Sequence, residues 1–584
     1  MRFEVIARDA TARIGLIEIE GKKEETPCML WYSSERISTP PFASLFLSEE
    51  KAISSSGSIF FPRKKKILSI PTSFVYPYTL PDELHEISGE WNKEKASFFQ
   101  IVDAKAINKI TLDSSIYVLA NAREIFSKPR EFVRSIINIR KKIGYQKALY
   151  APGLAEPSNI AILSYLTIDI FDSISLIEKA RKRIFLFPEG EYNFDEKTCH
   201  CPACIERKDF ERVLFHNYYA LHDELQKVKN VIREKKLREF VEKRVCNMPH
   251  LHSILTILDN EYYAFQEKKY AVAGKKINVS CHSLKRPDVE RFRKRVQERY
   301  KKPESARILL LLPCSAKKPY SFSKSHMLFR KVIKACKNPY IIHEVIVTSP
   351  LGIVPRELEM FYPAAHYDIS VTGHWSNDEK EMVKKCLFSF LNKNKYDLII
   401  NHLPPEITEF IEIGEKTCVD RPTSSPSLSM LSKKLGGVKG DIVRSSQRKY
   451  ENAFSMLSYQ FGEKEAYAIM KGCKIKGRYP YYKIFYGEKQ VAMVSERGLF
   501  SLTMEGAKRL ASANSYIVKI DDFVPRGTVF AVGINQADEK IRVGDEVVVC
   551  HEDDIRGVGV AMMDGEEMMK SNKGKAVKIR HYKS

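Results

Sequence analysis

Positions 313–326 read PCSAKKPYSFSKSH. This short stretch holds a thiol (Cys314), a histidine (His326), a phenol (Tyr320), four serine hydroxyls (Ser315, Ser321, Ser323, Ser325) and three lysines, Lys317 and Lys318 among them. A turn needs Gly, Asn, Asp or Pro; it does not need this density of nucleophiles and donors. A thiol next to lysines at a helix start can be acidified into a nucleophile, and a histidine can carry a proton. The lysines could instead hold an anion together with N–H groups at the helix start. Ser321, Ser323 and Ser325 alternate, so an extended loop would put all three on one side. A second set, Cys199-x-Cys201-x-x-Cys204, offers three thiolates in one loop, with His216 opening a predicted helix further on. Three sulfurs and one imidazole satisfy tetrahedral Zn2+, and four protein ligands make such a site structural. His200 and His222 compete with His216 for the fourth place.

The elements that would carry the loop are legible around it. ARILLLL before it, then HEVIVTS and YDLIINH, read as three buried parallel strands, with helices at HMLFRKVIKAC and NDEKEMVKKCLFSFLNK between them. Ligands of such sheets sit beyond the carboxyl ends of the strands. The loop lies at one such end. The segment after the second strand lies at another and brings Ser349, Arg356, Glu357, His366, Asp368 and His374. Upstream, residues 1–33 read as strands. Between 95 and 180 helical and strand-like segments alternate, with KASFFQIVDAKA read as helix and SSIYVLA and KALYAPG as strands, which predicts an α/β layer or barrel. Leu221, Leu225, Val228 and Ile232 mark a helix within 206–245. Residues 282–304 read as a charged connecting helix with a linker, and 422–440, rich in Ser, Gly and Pro, as a loop or junction. From about 514 short strands alternate with Gly- and Asp-rich turns.

The totals bound the rest. A chain of 584 residues with 44% apolar content is globular and multidomain. Its formal charge of +22 points to a polyanion, most often nucleic acid. The basic residues are dispersed, as in RKKK at 63–66, which suggests a broad phosphate footprint. The longest apolar runs fall far short of a bilayer span, and the N-terminus lacks the apolar core of a secretory signal, so no membrane role and a cytoplasmic location are expected.

CHCPACIERKDFERVLFHNYYALHDEL resembles the zinc-binding segment of archaeal tRNA-guanine transglycosylases, in which a His-Asn pair opens the helix and the His is the fourth ligand. The pair here is His216-Asn217, which favours His216. FEVIARDATARIGLIEIEG resembles that family's opening strands, and DIFDS its turn carrying the ribose-attacking aspartate, here Asp172. The family's DSGG-type base-recognition loop is not found, and ISLIEKARKRIF replaces the basic segment after the turn, so Asp172 reads as a residual carboxylate. The C-terminal FVPRGTVFAVG…RVGDEVVVC…KGKAVKIRHY resembles a PUA domain, an RNA-binding pseudobarrel. That resemblance implies turns at Gly527, Gly533 and Gly544 and phosphate contacts from Lys573, Lys575, Lys578 and Arg580.

Together with the 313–326 motif, these parts resemble the archaeosine synthase family. The architecture expected is multidomain α/β: a degenerate TIM-barrel-like transglycosylase domain with a zinc site (1–281), a middle Rossmann-like α/β catalytic domain (282–440), a small α+β domain (441–513) and a PUA domain (514–584). The resemblance implies a tRNA already carrying 7-cyano-7-deazaguanine (preQ0) at position 15, free lysine whose side-chain amine is joined to the nitrile, and a radical-SAM partner enzyme that cleaves the adduct. A homo-oligomer is left open. The attacking amine must be neutral, and free lysine's pKa is near ~10.4. The nitrile nitrogen gains negative charge and needs a donor. Either Cys314 adds first, giving a thioimidate, or a base such as His326 serves direct attack while the serines and Tyr320 polarise the nitrile. Glu357 or Asp368 would meet lysine's α-ammonium. Rival readings are an active transglycosylase exchanging guanine for preQ0 and a non-catalytic tRNA-binding subunit.

Overall fold

Alternating apolar residues build an opening antiparallel sheet from Arg2–Asp9, Ala12–Ile19 and Lys22–Glu25. Phe3, Ile14 and Ile17 enter the core. The computed structural model describes residues 2–19, 22–33, 37–48, 58–60, 99–104, 107–112, 114–119, 121–193, 199–246, 248–438 and 440–583; the basic run at 63–66 lies outside them. The chain forms two units, 1–270 with 570–574 and 271–569 with 575–584. Among the described residues no helix is long and apolar enough to cross a membrane.

The first unit is built on seven parallel strands. In sheet order they are Ser58–Phe60, Phe46–Ser48, Cys28–Ser33, Ile170–Asp172, Ala148–Tyr150, Ile116–Leu119 and Phe99–Val102. Neighbours in space are neighbours in sequence except where Ile170–Asp172 returns to Cys28–Ser33. This is the strand order of a (β/α) barrel. The helix expected at KASFFQIVDAKA is therefore a strand over Phe99–Val102, paired in parallel with Ile116–Leu119. A short run of Phe, Ile and Val suits a buried strand as well as a helix, and pairing decides between them. Helix Asp209–Glu234 breaks at Lys235, which is left-handed (φ +62°), before Leu237–Val245. The single helical stretch expected over 206–245 is thus several pieces.

In the second unit, Ile308–Pro313 is the central strand of a five-stranded sheet. Ile342–Thr348 and then Gly352–Pro355 lie to one side, and Leu398–Asn401 and Glu415–Lys416 to the other. All pairs are parallel except the hairpin with Gly352–Pro355. The central strand is buried on both faces. Leu309 and Leu311 join one core, and Ile308, Leu310 and Leu312 the other, as the two-residue period of a strand requires. The second face is covered by helix Lys324–Lys334 and by Ser425–Gly436, a helix where a junction was expected. Ser424 caps Ser425–Gly436, and Leu431 and Leu435 are buried. Each buried leucine contributes roughly 1.5–3 kcal/mol, more than the serines and glycine lose in helix propensity. Helix Pro287–Glu298, read as a charged connector, is instead packed inside, with Val289, Phe292, Arg291 and Arg295 buried. A four-stranded sheet over Lys474–Leu502 follows helices Ser445–Gln460 and Glu463–Met470, and a six-stranded sheet containing Glu546–His551, Asp554–Ala561 and Lys575–Tyr582 ends the chain.

Candidate active site and metal cluster

The loop after the central strand lies where the sheet order reverses, since the chain next builds one side and then crosses to the other. Such a reversal opens a crevice at the strands' carboxyl ends. The motif divides there into a buried half and an accessible half. Ser321 donates from its backbone N–H (2.9 Å) and its hydroxyl to buried Glu359. Ser323 caps helix Lys324–Lys334, accepting from the His326 N–H at 3.2 Å, and its hydroxyl meets that of Ser325 at 3.2 Å. The three serines are therefore spent on local structure instead of forming a row of donors.

His326 is 1% exposed and has both ring nitrogens occupied. Nε2 donates to the Pro313 carbonyl at 3.0 Å, and Nδ1 accepts from the Arg356 guanidinium at 2.7 Å. Burial, with the charge of Arg356 added, pushes its pKa down to about 3. The ring is neutral and offers no free lone pair, so in this geometry it ties the end of the strand to the helix. Arg356 also binds Glu344 at 2.6 Å and Glu359 at 2.8 Å.

The accessible half is Cys314, Ser315, Lys317 and Lys318. Ser315 donates to the Lys317 carbonyl at 2.9 Å, and Lys317 is exposed. Lys318 is half-buried with its ammonium 4.1 Å above the Tyr367 ring. Burial lowers its pKa, opposed by Cys314 and Asp368. Burial raises the Cys314 thiol, opposed by a hydrogen bond with Thr348 and the charge of Lys318. Behind them runs a hydroxyl chain: buried Tyr320 meets Tyr367 at 2.7 Å, and Tyr367 meets Thr348 at 2.5 Å. Thr348 and Tyr367 were not singled out in the sequence. Thr348 ends the second strand, a position that could have flagged it; Tyr367 carried no signal beyond its neighbour Asp368.

The other residues of the second loop scatter. Ser349 donates to Glu379 at 2.6 Å, inside the capping box of helix Asn377–Lys393. Glu357 is buried against Tyr300 and His343; burial alone would raise its carboxyl, but His343 and Arg448 hold it down to about 2. It is spent on the core. Asp368 is exposed and pairs with Lys276 at 2.7 Å, which lowers its pKa. His366 is half-buried and His374 exposed.

In the first unit, Cys199, Cys201, Cys204 and His216 bring their ligand atoms within 4.8 Å of one another. The three sulfurs lie 3.4, 3.5 and 3.7 Å from His216 Nδ1. The other ring nitrogen, Nε2, donates to the Leu186 carbonyl at 3.2 Å, which leaves Nδ1 as the free lone pair facing the sulfurs. Asn217 secures the same edge, accepting from the Leu186 N–H at 2.9 Å and donating to the Ile184 carbonyl at 3.1 Å. His200 is exposed, and His222 stacks on Phe42 away from the cluster. The donor set could hold a metal ion. Asp172, at the end of its barrel strand, is fully buried. It accepts from Tyr150 (2.6 Å), the Gly153 N–H (3.0 Å) and the Ile174 N–H (3.0 Å), while burial raises its pKa.

Lys575 and Lys578 in the terminal sheet, and Lys573 in the bend before its last strand, are exposed. Arg580 turns inward and grips fully buried Glu546 with two bonds of 2.6 and 2.8 Å. Gly544 needs its freedom (φ +90°), Gly533 sits against Phe523, and Gly527 would accept a Cβ without contact.

Family models match four stretches of the chain. They are queuine tRNA-ribosyltransferase (103–250), a domain of unknown function that contains the 313–326 loop (289–435), the patch-forming domain C2 of tRNA-guanine transglycosylase (451–516) and a PUA domain (520–583). These define a tRNA-modifying transferase with a transglycosylase-like core. Among curated relatives, the archaeosine synthase subunit alpha of Methanosarcina acetivorans is 35% identical over 100% of this chain and 99% of its own. The archaeosine synthase of Haloferax volcanii is 31% identical over 99% of each. A tRNA-guanine(15) transglycosylase of Methanothermobacter thermautotrophicus is 25% identical over 77% of this chain and 68% of its own. The chain belongs to the archaeosine synthase family.

Proposed function

We propose that this protein joins the side-chain amine of free lysine to the nitrile of preQ0 at position 15 of tRNA, forming an amidine. The reading rests on one observation: a thiol raised and an ammonium lowered by the same burial, Cys314 and Lys318, stand together at the sheet's crevice with Thr348 and Tyr367 behind them. Burial disfavours both the thiolate and the ammonium, so it favours the neutral thiol–amine pair, in which the amine can accept the thiol proton. Neutral Lys318 takes the thiol proton, and the thiolate sulfur bonds to the nitrile carbon. The Lys318 ammonium returns the proton to the nitrile nitrogen, giving a thioimidate. The substrate amine then adds to that carbon and expels the thiolate, which regains a proton from the nitrogen. No atom is lost and no nucleotide cofactor is needed.

In this reading Tyr320, Ser321, Ser323, Ser325 and His326 position the loop, while Ser315 and Lys317 border the crevice. Exposed Asp368, now paired with Lys276, would have to exchange that partner to meet lysine's α-ammonium. Asp172, already held by three donors, supports a structural role over base exchange. The four-part division of labour follows: 1–281 holds RNA around a structural zinc, 282–440 does the chemistry, 441–513 connects, and 514–584 grips tRNA through Lys573, Lys575 and Lys578. The name "subunit alpha" among the relatives supports a separate partner that processes the adduct.

Incubation with labelled lysine and preQ0-tRNA tests the reading. Label on tRNA is expected, with its loss in Cys314→Ala. Normal rates in that variant reject the covalent route, and guanine released from unmodified tRNA without lysine transfer rejects the synthase.

A further inference from the structure

A cavity of about 370 Å3 opens on another side of the second unit, where helix Lys324–Lys334 faces the start of helix Ser445–Gln460 and the turn at Arg478–Tyr482. Its charge is one-sided. The lining carboxylates, Glu344 and Glu357, are both spent, the first on Arg356 and the second on Tyr300 and His343 with the charge of Arg448 nearby. Arg330 and Lys334 on one wall and Lys449 and Arg478 on the other have no carboxylate partner among the described residues.

Two further features aim at the space. Arg448, 8% exposed, donates through Nε to Asn452 and through Nη1 to the Tyr340 carbonyl, both at 2.8 Å, and its Nη2 has no partner among the described residues. Helix Ser445–Gln460 begins here, with Ser445 in the lining, no acidic residue in its first turn and no side-chain cap, so the positive end of its dipole lies at the cavity. Tyr340, 38% exposed, adds a ring at the mouth. Cations without carboxylate partners, an uncapped helix start and a buried guanidinium with one nitrogen left over together make a site for a phosphate-type anion.

We infer that this cleft binds the phosphodiester backbone of the tRNA substrate, a contact surface separate from the terminal PUA sheet. The lysines and arginines without carboxylate partners are divided between two walls, and four such cations suit successive phosphates of a strand better than one compact ion. The inference rests on tRNA being the substrate, and not on lysine transfer.

The test uses the full chain with unmodified tRNA, so it succeeds or fails independently of the chemistry. Binding is measured against salt concentration for wild type, for Lys449→Gln with Arg478→Gln, and for Lys334→Gln on the opposite wall. Each lost phosphate contact lowers the slope of log K against log salt by about 0.7–0.9. The double variant is therefore expected to lose about 1.5 in slope and about tenfold in affinity at low salt, and the single variant about half that slope. Equal melting temperatures guard against misfolding, and two walls give two independent readings. Unchanged affinity and slope in both variants overturn the inference. Loss of inorganic phosphate binding, followed by calorimetry, with tRNA binding intact would make the cleft a small-anion site and overturn the RNA assignment.

Discussion

His326 separates two accounts of the loop, because a general base and a positioning residue respond differently to pH. Its pKa lies at about 3 in the folded protein, against an ordinary 6.5, because burial and Arg356 disfavour the imidazolium. The unfolded chain therefore binds a proton below pH 6.5 that the folded chain refuses until about pH 3. Stability contributed by the neutral ring is complete above 6.5 and is lost as pH falls through that window. One unit of pKa is worth about 1.36 kcal/mol, so this residue removes about 2 kcal/mol between pH 7 and pH 5, and about 4 kcal/mol by pH 3. The ring is 1% exposed, so solvent screening takes little from this figure. In His326→Gln the amide can still reach the Pro313 carbonyl but does not titrate. Urea unfolding of the second unit, followed by its fluorescence, should show wild type more stable at pH 7 and the gap shrinking by about 2 kcal/mol at pH 5. The histidines shared by both proteins cancel in the comparison. At pH 7 the variant should keep most of its kcat for lysine transfer, whereas loss of a general base costs about 100-fold or more. A pH-independent stability gap, or an NMR titration of His326 near 6.5, would refute the structural assignment. A selective collapse of kcat at unchanged stability would restore the base.

Other consequences can be checked directly. Cys201→Ser should lose a bound metal equivalent, read by atomic absorption, and melt the first unit at lower temperature; full metal content would show that the four-ligand set is wrong. Asp172→Asn should leave lysine transfer within a few-fold of wild type and cost about 1–3 kcal/mol, since an amide cannot accept all three donors now on the carboxylate. Arg580→Ala should destabilise the terminal sheet by leaving Glu546 less well paired, with little change in the salt slope of tRNA binding, whereas Lys575→Gln with Lys578→Gln should lower that slope without a change in melting temperature.

How far the sequence could be read depended on whether local chemistry or distant partners decided each position. Cys199, Cys201 and Cys204 were legible because tight spacing alone forces their sulfurs together, and His216 was chosen through the transglycosylase-like His216-Asn217 pair, although that pair lies two turns inside helix Asp209–Glu234 and does not open it. The central strand was legible because ILLLL must be buried on both faces, and its carboxyl end named the crevice. Phe99–Val102 and Ser425–Gly436 were misjudged for the opposite reason. A few β-prone residues, or serines around two leucines, are settled only by the sheet or helix they pack against. The motif misled in a subtler way. Its serines, tyrosine and histidine looked like a reactive battery, yet Glu359, Arg356 and Tyr367, which hold Ser321, His326 and Tyr320, lie thirty or more residues away in the chain. Density of functional groups at a strand end thus reports two demands at once. A few groups face the crevice, and the rest are needed because a loop that must hold a half-buried thiol beside a half-buried ammonium has to be fastened from behind.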